Sequence, residues 1–150
     1  MRTVRQIMSA DFWTIPGDAS LLEAETGFIT TGAAEFYVVD SARQLLGVLP
    51  DYEVLKARML DGPQELLVRE RMFPVTRVLT PTSNLMEAAT LLRMHIHRRV
   101  PVIDGGRVCG VVTRTGILAA LSTDDVNEAI PAPLFLRLQQ RTNQAAPAAN

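Results

Sequence analysis

Eight arginines and no lysine stand between residues 68 and 121. Four of them fall in one short stretch, His97-Arg98-Arg99-Val100-Pro101-Val102-Ile103-Asp104-Gly105-Gly106-Arg107-Val108-Cys109-Gly110-Val111-Val112-Thr113-Arg114. A guanidinium is planar, permanently charged, and donates in a fork that matches two oxygens of a phosphate. Arg98 and Arg99 at the entrance, with Arg114 at the exit, therefore point to a small anionic, phosphate-bearing ligand. The competing reading makes Arg98 and Arg99 solvated strand ends, or partners of an acidic first half. Residues 1–67 carry five basic against ten acidic side chains, and residues 68–121 carry eight against three. A polarised chain of this kind attracts anions to its basic half, or pairs its charged faces on self-association.

Other chemistry is sparse. His95 and His97 lie on one side of an extended chain, but a structural zinc takes four ligands, and no acid or cysteine stands beside them, so no metal site is expected. Cys109 reads as a small hydrophobe on a strand. There is no Gly-x-Ser-x-Gly, no Gly-x-x-x-x-Gly-Lys, no Cys-His pair and no acid pair with a mechanism, so the chain is not expected to be an enzyme. Nucleic acid is disfavoured, because the aromatic side chains do not interleave with the arginines. Of the aromatics, only Phe73 falls within residues 68–121.

The elements that must hold the arginines occur twice. A shift of 64 places Val4 on Val68, Arg5 on Arg69, Met8 on Met72, Leu21 on Leu85, Glu23 on Glu87, Val38 on Val102 and Arg43 on Arg107. One extra residue in the first copy's turn changes the shift to 63, and Gly47 then falls on Gly110, Val48 on Val111 and Ala57 on Ala120. Ser20-Leu21-Leu22-Glu23 and Asn84-Leu85-Met86-Glu87 are helix-start capping boxes, predicting helices over about 20–31 and 84–96. Each is followed by a β-branched run, a turn that begins with Asp40 or Asp104, a second strand, and a closing helix near 51–60 or 114–121. Each copy thus reads strand, helix, strand, strand, helix, with first strands at Thr14-Ile15 and Thr76-Arg77-Val78. Residues 1–62 and 63–123 form the two repeats, joined across Leu60-Asp61-Gly62-Pro63-Gln64. Ser122-Thr123-Asp124-Asp125 offers a cap for one more short helix, and the Ala-rich tail, 124–150, is expected to be mostly disordered.

The bulk composition agrees with a folded α/β protein. Apolar residues make up 47% of 150, enough to bury a core, and no run reaches the 18 or so apolar residues of a membrane span. The N-terminus has charge where a secretion signal has its apolar stretch, and a lone cysteine fits a reducing compartment. The expectation is a soluble, cytoplasmic protein.

The pair of copies resembles a tandem pair of cystathionine-β-synthase (CBS) domains. The resemblance rests on Val4-Arg5-Gln6-Ile7-Met8 and Val68-Arg69-Glu70-Arg71-Met72, on Leu85-Met86-Glu87-Ala88-Ala89, on Arg99-Val100-Pro101-Val102-Ile103-Asp104 and on Gly110-Val111-Val112-Thr113. It implies an α/β (α+β) fold of two β-α-β-β-α repeats about a pseudo-two-fold axis, with two clefts between packed sheets. It also implies a homodimer, and a regulatory role in which an adenine nucleotide (AMP, ADP or ATP) or S-adenosylmethionine is a ligand rather than a required cofactor. The effector protein is not named by the sequence.

In nucleotide-binding members of the family the second strand ends in Gly-apolar-apolar-Thr/Ser-x-x-Asp, and the hydroxyl and the carboxylate hold the ribose and phosphate. The second copy keeps Thr113 but has Gly116 for the Asp; the first copy loses the hydroxyl to Pro50 and has Glu53 for the Asp. The better cleft is therefore the second, with Thr113, Arg114, Arg98, Arg99 and Val100 as ligand-binding residues. Val78 is added from the segment that matches Trp13, and Glu53 from the first copy. The alternative is a ligand-independent interaction and dimerisation module whose clefts have degenerated.

Overall fold

The computed structural model describes residues 2–60, 65–94 and 98–124. In chain order the elements are α1 (Val4–Ile7), β1 (Thr14–Pro16), α2 (Leu21–Thr31), β2 (Glu35–Val39), β3 (Leu45–Pro50), α3 (Asp51–Leu60), a 3₁₀ turn at Val68–Glu70, α4 (Leu85–Leu92), β4 (Arg99–Asp104), β5 (Arg107–Thr113) and α5 (Arg114–Asp124). Residues 1–117 make one compact unit; of the residues beyond it, only the remainder of α5 is described. The architecture is the expected two-repeat α/β arrangement.

Local chemistry explains the helix starts. The Ser20 hydroxyl accepts from the Glu23 N–H at 3.0 Å, and the Glu23 carboxylate accepts from the Ser20 N–H at 3.0 Å, so α2 opens on a complete capping box. Asn84 opens α4 with half of one: its side chain accepts from the Glu87 N–H at 2.9 Å, while the Glu87 carboxylate takes the Asn84 amide instead. The second copy's helix is shorter than the predicted 84–96, ending at Leu92, and residues 95–97 lie outside the described residues, as do 61–64 of the connection. The α5 helix continues past the predicted 121 to Asp124.

The first sheet has order β1-β2-β3, with β1 parallel to β2 and β2 antiparallel to β3. The second pairs β4 with β5, antiparallel. Its expected first strand at Thr76-Arg77-Val78 is reduced to a single bridge, Leu79 to Val102. Two prolines account for the loss. In the first copy the Tyr37 N–H donates to Trp13 O and the Gly17 N–H to Val39 O, on either side of the Ile15–Val38 pair. The residues at these donor positions in the second copy are Pro101 and Pro81, which have no N–H. Only the central bonds survive, Leu79 N–H to Pro101 O at 3.0 Å and Ile103 N–H to Leu79 O at 2.8 Å.

The repeats exchange the segments that precede them. Val4 N–H donates to Ser83 O, Arg5 N–H to Pro81 O, and Ser9 and Val111 exchange two backbone bonds. In register, Val68 N–H donates to Ala19 O, Arg69 N–H to Gly17 O, and Phe73 and Val48 exchange two. This one-to-one correspondence is the pseudo-two-fold relation at the level of individual hydrogen bonds. The exchange extends to the core. Val68 is fully buried among Ile15, Leu21, Phe36, Val38 and Leu49 of the first repeat, and Val4 is equally buried. Glycines make room for the crossing segments. A Cβ on Gly47 would lie 2.6 Å from Phe73 O, and one on Gly110 would lie 2.7 Å from Met8 Sδ.

Candidate functional site

Antiparallel pairing sets Arg99, the first residue of β4, opposite Thr113, the last of β5, so the open end of this hairpin carries Arg98, Arg99, Thr113 and Arg114 together. Thr113 then serves the next helix. Its hydroxyl oxygen accepts from the Gly116 N–H at 3.0 Å, capping α5 and leaving the hydroxyl hydrogen to donate elsewhere. Gly116, which replaces the acidic residue of the family pattern, leaves a tight opening in which a Cβ would lie 3.3 Å from Thr113 Oγ1 and 3.7 Å from Ile7 O.

The three arginines are held differently. Arg114 folds back on the end of α4, donating from Nε to Leu92 O and from Nη2 to Met94 O, both at 2.6 Å. Carbonyls at a helix C-terminus lack intrahelical donors and carry partial negative charge, so this guanidinium is engaged in a cap. Arg99 crosses to the first repeat, where Nη2 donates to Asp11 O, while its Nε is buried with no hydrogen-bond partner. Arg98 is exposed. Val100 is buried in β4 and acts as wall rather than contact. Val78 is half-exposed and lines a separate shallow groove with Leu79, Met86 and Leu91; Thr113 and the arginines are not among that groove's walls.

Arg99 reaches a polar cluster of the first repeat that sequence reasoning did not assemble. The Tyr37 hydroxyl donates to Glu35 Oε1 at 3.1 Å, and Tyr37 itself is buried. Burial, first, and then the Glu35 carboxylate hold its hydroxyl above the usual phenol range, with the Arg99 charge acting in the opposite direction. The register could have pointed here, because the shift of 64 places Glu35 on Arg99, an acid and a base at equivalent positions.

In the first repeat Glu53 is buried at the start of α3 and lies 3.6 Å from Arg71 Nη1, so the carboxylate that could have met a ribose faces a cation from the exchanged segment. Cys109 is half-buried, and its Sγ lies 3.4 Å from Val102 O; desolvation pushes its thiol up. Among the described residues no cluster of three His, Cys, Asp or Glu could hold a metal ion, and His95 and His97 lie outside them. No helix among the described residues is long and apolar enough to cross a membrane.

The family model for the CBS domain matches twice, over residues 4–60 and 68–123. An uncharacterised protein of Methanocaldococcus jannaschii is 26% identical over 121 residues, 81% of this chain and 43% of that protein. The A-adding tRNA nucleotidyltransferase of Aquifex aeolicus is 31% identical over 123 residues, 81% of this chain and 14% of that enzyme. The chain thus spans less than half the length of either relative. Among solved structures, CBSX2 of Arabidopsis thaliana in complex with AMP superposes with a TM-score of 0.70 at 25% identity, covering 83% of this chain and 99% of that one.

Proposed function

The chain belongs to the CBS domain family, and from that membership we propose that this regulatory pair senses a small anionic ligand, an adenine nucleotide or S-adenosylmethionine-like compound, at the open end of the β4–β5 hairpin. The observation that carries the reading is the juxtaposition of Thr113, with a hydroxyl hydrogen to give, and the exposed Arg98, which directly precedes Arg99, the strand partner of Thr113. Arg98 supplies the charge, Thr113 donates to a phosphate or ribose oxygen, Val100 forms the wall, and Arg99 and Arg114 position the rim through the Asp11 and α4 carbonyls they hold. The AMP complex of CBSX2, a relative that matches across most of both chains, supports adenosine as the ligand class. The working protein is a cytoplasmic homodimer with repeats at 1–62 and 63–123, and it acts on an effector protein rather than by catalysis.

Calorimetric titration with AMP, ATP, S-adenosylmethionine and inorganic phosphate tests this. Adenosine compounds should bind more tightly than phosphate, and Arg98→Ala should weaken that binding about tenfold, the scale of one charge-assisted hydrogen bond. Adenosine binding no stronger than that of phosphate would refute the reading.

A second reading has its own support. The Glu53–Arg71 pair and the engagement of Arg114 leave little of a nucleotide clamp. Meanwhile α3 exposes Tyr52, Leu55, Met59 and Leu60, and α2 exposes Ile29 at 79%. In this reading the chain is a ligand-independent dimerisation module, with these helices as the interface. A dimer that persists at high salt and is unaffected by nucleotides would favour it.

A further inference from the structure

A large cleft among the described residues lies away from that site, at the opposite end of the strands. It has a volume of about 920 Å³, within the range of small-molecule pockets. Asp104 and Arg107 close the β4–β5 hairpin five residues from the Arg99–Thr113 end, about 17 Å away along an extended strand. The two hairpin tips meet here, through Leu45 N–H to Gly106 O at 3.0 Å and Gln44 Nε2 to Gly105 O at 3.2 Å. That contact brings Arg43 and Arg107, equivalent residues of the two repeats, to one cleft, and the exchanged segment adds Arg69.

These arginines line one cleft together with two acids, Asp18 and Asp40. All three are exposed, and none of their side chains makes an ion pair or hydrogen bond among the described residues. Arg43 is also the described non-glycine residue with positive φ, +65°, a conformation that a β-carbon disfavours. The turn enforces it. Asp40 Oδ1 accepts from the Ala42 and Gln44 N–H groups at 2.9 Å each, and the Arg43 N–H donates to Asp40 O. One acid of the cleft is therefore committed to the turn; the other is the exposed Asp18. Gly17 keeps the floor open, since a Cβ there would lie 3.2 Å from Leu46 and 3.6 Å from the Arg69 Cβ. Phe12, Leu46 and Val108 supply apolar wall.

We propose that this cleft is a second binding site, for a small molecule bearing a condensed phosphate group, in which Arg43, Arg69 and Arg107 receive the phosphoryl oxygens and the Phe12 side receives an apolar or aromatic body. A diphosphate or longer chain offers three guanidinium forks more oxygens and more negative charge than a monophosphate does, so a condensed phosphate is the better-matched anion. The site is independent of the proposed adenosine cleft and does not rest on it.

The probe is inorganic pyrophosphate, titrated into the full chain by calorimetry, with inorganic monophosphate as comparison. Pyrophosphate should bind at least tenfold more tightly than monophosphate. Arg69→Gln and Arg107→Gln should each weaken it about tenfold, as should Arg43→Asn, whose asparagine tolerates the left-handed turn. Arg98→Ala should leave it unchanged. Arg69→Lys and Arg107→Lys keep the charge but lose the fork, so a loss in these variants tests the site should a Gln variant fold poorly, as read from its thermal midpoint. Absence of pyrophosphate binding, affinity indifferent to the three arginines, or a loss confined to Arg98→Ala would each overturn the proposal.

Discussion

The crossing segments put two equivalent glycines under different constraints, and alanine at each should separate them. At position 47 the added Cβ would meet the carbonyl oxygen of Phe73 at 2.6 Å, and that oxygen accepts the Val48 N–H at 2.9 Å. Backbone cannot step aside without stretching the two bonds between Phe73 and Val48, each worth about 1 kcal/mol. At position 110 the nearest atom is the Met8 sulfur at 2.7 Å, followed by Met8 Cγ at 2.9 Å and Cβ at 3.1 Å, and a thioether can rotate away. Overpacking costs about 1–3 kcal/mol, and loss of glycine freedom in the unfolded chain offsets about 0.4–1 kcal/mol. Gly47→Ala should therefore destabilise by about 2–3 kcal/mol and Gly110→Ala by about 1 kcal/mol, measured by urea denaturation at constant slope. A double-variant cycle sharpens the contrast. Met8→Ala should relieve much of the Gly110→Ala penalty, whereas Met72→Ala should not relieve Gly47→Ala, because there the obstacle is a carbonyl. An equal or larger loss for Gly110→Ala, or equal rescue by both methionine variants, would refute the reasoning.

Gly116→Asp should restore the missing half of the Thr113 clamp. Position 116 is the third residue of α5, where an acid also suits the helix N-terminus. The expected result is adenosine affinity raised about tenfold with no loss of thermal midpoint; unchanged affinity in a folded variant would show that adenosine does not bind there. Tyr37 should make the fold sensitive to alkali. Its hydroxyl is held neutral in the native state above the usual phenol range, so the native state binds the more protons as pH rises past the unfolded value near 10, and stability then falls by about 1.4 kcal/mol per pH unit. Tyr37→Phe should flatten that fall above roughly pH 10; an identical alkaline profile in both proteins would count against it.

Much of the fold could be read from the chain because the local signals occur twice. Ser20 and Asn84 cap their helices as their types demand, and the shift of 64 reproduces itself in backbone bonds as well as letters. The shortened second sheet was not legible: the sequence predicts a strand at Thr76-Arg77-Val78, and which N–H groups Pro81 and Pro101 remove is clear only once the first copy's donors at Gly17 and Tyr37 are seen. Nor was the exchange of Val4 and Val68, because a repeat pattern states which residues are equivalent and not which copy each one packs against. The site was harder for a related reason. Arginine's chemistry suits phosphate and a helix C-terminus equally, and sequence separation does not show that Arg114 lies against Leu92 and Met94. Arg43, Arg69 and Arg107 were visible as charges, but only the meeting of two hairpin tips places them in one cleft.

The exchanged segments also govern how this chain can be made. A ribosome that has released the first repeat has produced a core that still lacks Val68, and the second repeat is completed by a segment synthesised before anything else in it. The first half cannot finish folding as it emerges, so its closure waits for the later segment, by which time residues 4–9 are already present for the second core. Unfolding should accordingly follow a single cooperative transition rather than two. The same arrangement leaves residues 2–9 able to complete the second repeat of a neighbouring copy, so that a crowded nascent chain has a ready route to an intertwined pair.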